Sequence, residues 1–156
     1  MSPPDRLERF LGRHRRIGID TAPLIYHLEG DDKYLGVTTA LFTWLQGQAV
    51  SAVTSTLTLT ELLVQPYRMN DSVRVSTALA ATVLFRHLEW EPLTLVVADR
   101  AAQLRADHGL RTPDAIQLAT AVAAGATGFV TNDLSFRRIK EIEVLVLDDL
   151  ADGPNR

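Results

Sequence analysis

The 156-residue chain has no cysteine. Disulfides, thiol nucleophiles and thiolate metal sites are excluded together, so any bound metal must be held by oxygen or imidazole. Long apolar runs are also missing. None approaches the roughly 18 residues that a membrane span requires, and no membrane association is expected. The N-terminal stretch MSPPDRLERFLGRHRR lacks a secretory apolar region, which places the expected protein in the cytoplasm. An excess of positive charge is absent as well: 16 Lys and Arg stand against 19 Asp and Glu, a net charge of -3. That balance gives no global pull toward nucleic acid, although a local basic surface is compatible with it. Internal repeats, low-complexity tracts and linkers are not found, so one domain is expected over residues 1–156, with 1–15 a basic N-terminal extension and 151–156 a short C-terminal tail.

What is present is an ordinary globular composition, 46% hydrophobic and 22% charged. Five arginines (Arg6, Arg9, Arg13, Arg15, Arg16) fall in the first 16 residues. They read as a solvated helix face, with phosphate binding or a flexible terminus as alternatives. Beyond them short apolar strands alternate with longer helical stretches. Strands are predicted at Arg16–Asp20, Val50–Ser55, Leu88–Leu93, Thr127–Thr131 and Glu143–Leu147. Helical segments are predicted at Pro23–Leu28, Lys33–Gln46, Thr58–Gln65 (stopped by Pro66), Asp71–Arg86, Thr94–His108, Thr112–Ala124 and Leu134–Ile139. Gly109 and Gly125 close two of these helices, while Asp71 and Thr112 are the expected N-caps of two. Such alternation predicts an α/β fold with a mostly parallel sheet covered on both faces, whose ligands gather outside the carboxyl ends of the strands.

Four carboxylates fall where that scheme makes sites. Asp20 ends the first strand and Asp133 follows the fourth. Glu61 and Asp114 lie near the starts of helices that can be aimed at the same edge. Each has a local alternative. Asp20 can cap the following turn. Thr58-Leu59-Thr60-Glu61 matches a capping box. Asp114 is favoured by the helix dipole, and Asp133 can cap the short helix after it. As a set they repel one another unless a cation is present. A hard divalent ion, Mg²⁺ or Mn²⁺, suits an all-oxygen donor set, and two such ions can clamp the oxygens of a phosphodiester. Thr21, Thr131 and Asn132 are placed to orient these carboxylates or metal waters, or are ordinary turn residues.

The segments "IGIDTAPLIYHLEG" (17–30), "SAVTSTLTLTELLVQP" (51–66), "LRTPDAIQLATAVAAGATGFVTNDLSF" (110–136) and "EVLVLDDL" (143–150) resemble the PIN domain, and within it the VapC-type toxin ribonucleases. The resemblance implies a three-layer α/β/α sandwich. It implies that Asp20, Glu61, Asp114 and Asp133 form the acidic quartet that binds Mg²⁺ or Mn²⁺, and that RNA is cleaved endonucleolytically. It also implies, as family habits, a homodimer and an antitoxin partner. Three departures stand out. Ala22 occupies a position where Asn or Ser is common, Gln117 one where His is common, and the N-terminal arm is long.

On this reading three aspartates ligate the ion or ions, Glu61 ligates or positions water, and a water acidified by the metal attacks RNA in line. Arg111, Arg137, Arg138 and Lys140 are candidates to hold the backbone, or are solvated charges and helix C-terminal partners. The four histidines are scattered and none follows a strand, and no Gly-x-Ser-x-Gly elbow exists for a serine triad. A phospho-receiver module would need paired acids on the first strand and a Lys after a late strand, neither of which is present. A PIN-like domain that binds without cutting, or a PIN nuclease of RNA processing with no antitoxin, are the remaining alternatives.

Overall fold

The computed structural model describes residues 2–47 and 49–151. Five strands, β1 (Arg16–Ile19), β2 (Ser51–Ser55), β3 (Leu88–Glu91), β4 (Gly128–Thr131) and β5 (Glu143–Val146), form one sheet in the order β3-β2-β1-β4-β5. All four pairings are parallel. The three central strands are buried on both faces and carry Ile, Val, Ala and Phe, while the edge strands β3 and β5 also carry Glu. From central β1 the chain winds outward through β2 and β3, then returns to build β4 and β5 on the other side. The crevice beyond the ends of β1 and β4 is therefore the point where the strand order reverses, the usual place for a ligand in such sheets.

Alternation along each strand sends side chains to opposite layers. Ile17, Ile19, Ala52, Leu88, Val130 and Leu147 face a layer that includes α1 (Pro3–Leu11), α2 (Thr21–Glu29), α3 (Leu35–Trp44), α4 (Leu57–Arg68), α5 (Ser72–Leu84) and α8 (Asp148–Ala151). Val53 and Phe129 face α6 (Leu95–His108) and α7 (Thr112–Ala123), with Leu104, Leu118, Ala119 and Phe136 completing the cluster. The result is a three-layer α/β/α sandwich. Gly18 lets α7 close tightly on β1: a Cβ there would overlap the Ala121 Cβ and lie 2.7 Å from the Phe129 ring. Among the described residues no helix is long and apolar enough to cross a membrane.

The structure corrects several boundaries. The arm before β1 is a packed helix. Ser2 and Asp5 form a capping box at the start of α1, and Leu7, Phe10 and Leu11 enter the core. Its arginines are largely spoken for: Arg6 donates to the Asp149 carbonyl, Arg13 pairs with Glu143, and Arg16 pairs with Glu89 at 2.6 Å. Buried His14 seals the junction, 2.8 Å from both Thr127 Oγ1 and Glu143 Oε2. Helix α2 begins at Thr21, two residues before Pro23, because Asp20 caps it. Helix α4 continues past Pro66 to Arg68, since a proline in the last turn removes one donor yet leaves later ones free: Met69 N–H still reaches the Gln65 carbonyl at 3.0 Å. Residues 152–156 of the expected C-terminal tail lie outside the described residues.

Candidate metal centre

The parallel ladder delivers the first pair of acids. Asp20 N–H donates to the Val130 carbonyl at 2.9 Å, one residue past the last β1 position, so Asp20 and the end of β4 are locked side by side. Both Asp20 oxygens are held. Oδ1 accepts from Thr21 N–H at 2.8 Å and Oδ2 accepts from the Thr131 hydroxyl at 2.7 Å. Thr131, fully buried, also accepts from Asp133 N–H at 3.1 Å. One threonine thus ties the two strand-end aspartates together. Asp133 also caps the short 3₁₀ turn Leu134–Arg138, its Oδ1 accepting from Ser135 N–H at 2.8 Å, so its local job and its place at the crevice coexist.

Helices bring the other two. Asp114 sits in the first turn of α7, where the dipole favours a carboxylate. Arg111 is the N-cap residue and makes no side-chain capping bond; the expected cap, Thr112, instead accepts at Oγ1 from the Arg105 guanidinium at 2.9 Å. Arg111 Nε lies 3.4 Å from Asp114 Oδ2, with its own side chain 81% exposed. Glu61 stands at the rim on α4. The capping box is not formed: α4 begins at Leu57, and the Thr58 hydroxyl turns inward to Thr54 at 2.7 Å. Glu61 is therefore free of the local role that competed for it.

Several of the acids lie close enough to perturb one another. Burial raises the Asp20 carboxyl to about 6, opposed by its Thr131 and Thr21 hydrogen bonds and reinforced by the charges of Asp114 and Glu61. Burial also raises Glu61, with Asp114 adding to the effect and Thr21 and Arg111 opposing it. Asp114 is raised by burial and by Asp133, against Arg111. Asp114 is thus the common neighbour, acting on Asp20 and Glu61 and itself acted on by Asp133.

Oxygen donors with a single nearby arginine match the chemistry of a hard divalent cation. Among the described residues no group of three or more Asp, Glu, His or Cys side chains is gathered tightly enough to hold an ion by direct ligation alone. An ion at this set would keep most of its coordination in water, as Mg²⁺ does when one or two carboxylates bind it.

The remaining candidates divide. Thr21 and Thr131 touch the acids as described. Asn132 does not: its amide donates to Tyr26 Oη (3.1 Å) and Tyr34 Oη (3.2 Å), and its carbonyl accepts from Asp148 N–H, pinning the β4 end to α2 and α8. Arg137 pairs with Asp149, and Arg138 donates to the last turn of α6 at the His108 carbonyl. Lys140 is exposed. Sequence reasoning missed the role of Gln117, which is 3% exposed and donates to both Thr21 and Thr58. A polar residue on the apolar face of α7, one turn after Asp114, was the available signal.

The family model described as PIN domain matches residues 17–142. Among solved structures, a chain of a toxin–antitoxin complex from Klebsiella pneumoniae is 22% identical, with 85% of this chain and 97% of that one covered at a TM-score of 0.62. A chain of VapBC2 from Rickettsia felis, bound to a DNA fragment from their promoter, is 18% identical over 84% and 98% at 0.64. A chain of DNA-bound VapBC from Salmonella typhimurium is 20% identical over 85% and 98% at 0.58. At these identities the likeness is one of fold. No curated protein matches the sequence.

Proposed function

The chain belongs to the PIN domain family, and from that premise we propose that it is a Mg²⁺- or Mn²⁺-dependent endoribonuclease acting in the cytoplasm as the toxin of a toxin–antitoxin pair. What supports the reading is that Asp20 and Asp133 follow the adjacent strands β1 and β4, and that Asp20, Glu61 and Asp114 are raised by burial, with lesser contributions from neighbouring carboxylates. Complexes containing an antitoxin among the structures of the same fold support the partner.

Asp20, Asp114 and Asp133 would hold the ion in part through its coordinated waters. When bound, the ion supplies positive charge that offsets the carboxylates and acidifies a water. Thr131 and the Thr21 N–H keep the Asp20 carboxylate in one orientation. Glu61, at the rim, orients the attacking water by accepting its hydrogen, a task its raised pKa suits. Arg111 holds Asp114 and, being exposed, exchanges that contact for a phosphate of the RNA backbone. Arg137 and Arg138 are committed to Asp149 and to α6 and contribute less. A homodimer is part of the proposal: exposed Leu93, Leu95 and Val96, at the start of α6, offer an apolar patch for a second copy.

The test is cleavage of a defined RNA by the purified chain with Mn²⁺, compared with Asp20→Asn and Asp114→Asn. A loss of ~100-fold is expected, since partners outside the ligand set already cost ~10–100-fold. Equal cleavage by all three proteins would mark a contaminating nuclease and remove the support. A PIN domain that binds RNA or a partner without cutting is the second reading, favoured by the lack of a direct three-ligand group among the described residues. Mn²⁺ binding with no turnover would select it.

A further inference from the structure

The acids lie beyond the carboxyl ends of the strands. The opposite edge of the sheet carries a different chemistry. The Arg15 carbonyl accepts from Ser51 N–H at 2.8 Å and the His87 carbonyl from Ala52 N–H at 2.7 Å, so both residues stand at the amino ends of their strands, β1 and β3, on either side of β2. Two strand spacings put their backbones about 10 Å apart along this edge, and the length of β1 puts Arg15 about 16 Å from Asp20. The carboxylates near this edge are taken. Glu89 pairs with Arg16, Glu143 with Arg13 and His14, and Glu141 with His108. Arg15 and Arg86 are exposed, and among the described residues neither pairs with a carboxylate.

Arg86 also lines a cavity of about 810 Å³ bordered by α2, α3 and the end of α5. One wall is aromatic: the His27 and Phe42 rings lie 4.6 Å apart, and Phe42 stacks on Phe85 at 4.6 Å. Around it Thr43, Gln46, Arg86 and His87 supply a hydroxyl, an amide, a guanidinium and an imidazole, and no carboxylate joins them. His87 is held at φ 64°, in the left-handed region that few residues other than glycine enter. Its Nδ1 lies 2.9 Å from the Leu45 carbonyl. A carbonyl can only accept, so Nδ1 carries the proton and the neutral ring keeps a lone pair on Nε2. Among the described residues nothing donates to that nitrogen. The cavity and the basic edge meet at Arg86.

Uncommitted cations beside an aromatic wall are the two parts with which proteins hold single strands: the charges follow the phosphates and a ring takes a base. We propose that the amino edge of the sheet is a second RNA-binding surface, where one unpaired base of a single strand enters the His27–Phe42–Phe85 cavity and Arg86 and Arg15 hold the adjoining phosphates. The ribose 2′-hydroxyl donates to His87 Nε2, a contact that DNA lacks the group to make. The choice of RNA rests on the proposed ribonuclease activity. The surface itself lies at the far end of the strands from the acids and needs neither an ion nor a cut.

The experiment is fluorescence anisotropy of the full chain with a labelled single-stranded RNA of about 12 nucleotides, in EDTA so that nothing is cut, at several salt concentrations. Arg86→Ala is expected to weaken binding ~5-fold at low salt and to reduce the salt slope by about 0.7, the value of one single-strand phosphate contact. Adding Arg15→Ala should reduce the slope again. Arg68→Ala, an exposed arginine at the end of α4, controls for loss of a charge and should change neither beyond about twofold. Photo-crosslinking of a thiouridine-containing copy of the RNA, read by mass spectrometry, should label Phe42 or Phe85, and should still do so in Arg111→Ala. Wild-type affinity in the Arg86→Ala, Arg15→Ala double variant would overturn the proposal. So would crosslinks confined to the crevice side, DNA of the same sequence bound as tightly as the RNA, or no RNA binding by the wild type. Failure of RNA cleavage with Mn²⁺ while this binding persists would sink the nuclease reading and leave the second surface standing.

Discussion

Replacing Asp20 by Asn should make the metal-free protein more stable at neutral pH. A carboxyl raised from 3.8 to about 6 in the fold carries ~3 kcal/mol against its ionised form. The sign follows from linkage. The folded state binds the proton more tightly than the unfolded chain, so the contribution of Asp20 to stability is fully present below pH 3.8. It is lost as pH rises from there through about 6. At pH 7.5 the wild type bears the whole penalty and the amide bears none. Asparagine still accepts from Thr21 N–H, but it leaves the Thr131 proton without its acceptor, at ~1 kcal/mol. The net gain is ~2 kcal/mol, or about 4–8 °C in Tm for a chain of this size. Urea unfolding in EDTA, followed by circular dichroism from pH 4 to 7.5, measures it. The advantage of Asp20→Asn should grow across that range and vanish near pH 4. A variant less stable than wild type at pH 7.5, or a difference that does not change with pH, would refute the reasoning that burial, with a smaller contribution from Asp114 and Glu61, penalises the charge of Asp20.

Divalent metal should reverse that ordering. Mn²⁺ at about 100 times its Kd adds ~2.7 kcal/mol to the wild type and much less to Asp20→Asn, read as Tm by calorimetry at pH 7.5. Gly18→Ala should destabilise by ~2 kcal/mol or more, because the new methyl meets Ala121 and Phe129 where α7 crosses β1; urea midpoints check it. Leu7→Ala should cost ~2–4 kcal/mol, as for a core residue, and a change under ~0.5 kcal/mol would show α1 to be an ornament of the fold. Arg111→Ala should weaken RNA binding and lower the salt slope by about one phosphate contact, measured by fluorescence anisotropy at several ionic strengths.

Much of the sheet was legible because strand and helix differ in period, and because glycines mark helix ends: Gly109 closes α6 where expected. The placing of Asp20 and Asp133 after the adjacent strands β1 and β4 was legible too, because both follow apolar runs of strand period. Other features depended on tertiary contacts. An arginine-rich segment reads as a solvated face until Leu7, Phe10 and Leu11 are seen to share one side of α1. The Thr58–Glu61 capping box was chemically sound locally and lost to a buried network that needs Gln117, 59 residues away. Asn132 looked like a partner of the acids by proximity in sequence, yet the stacked tyrosines 26 and 34 claim its amide. Thr131 was the reverse case: a turn residue by appearance that holds Asp20 and Asp133 together.

The most direct test is a crystal of the full chain soaked in Mn²⁺ and measured for anomalous scattering. The expected result is a peak in the crevice beyond the ends of β1 and β4, bordered by Asp20, Asp114 and Asp133 and lost in Asp20→Asn. Saturating Mn²⁺ with no peak there, or peaks only on carboxylates elsewhere on the surface, would contradict the claim that these four acids converge to hold a cation.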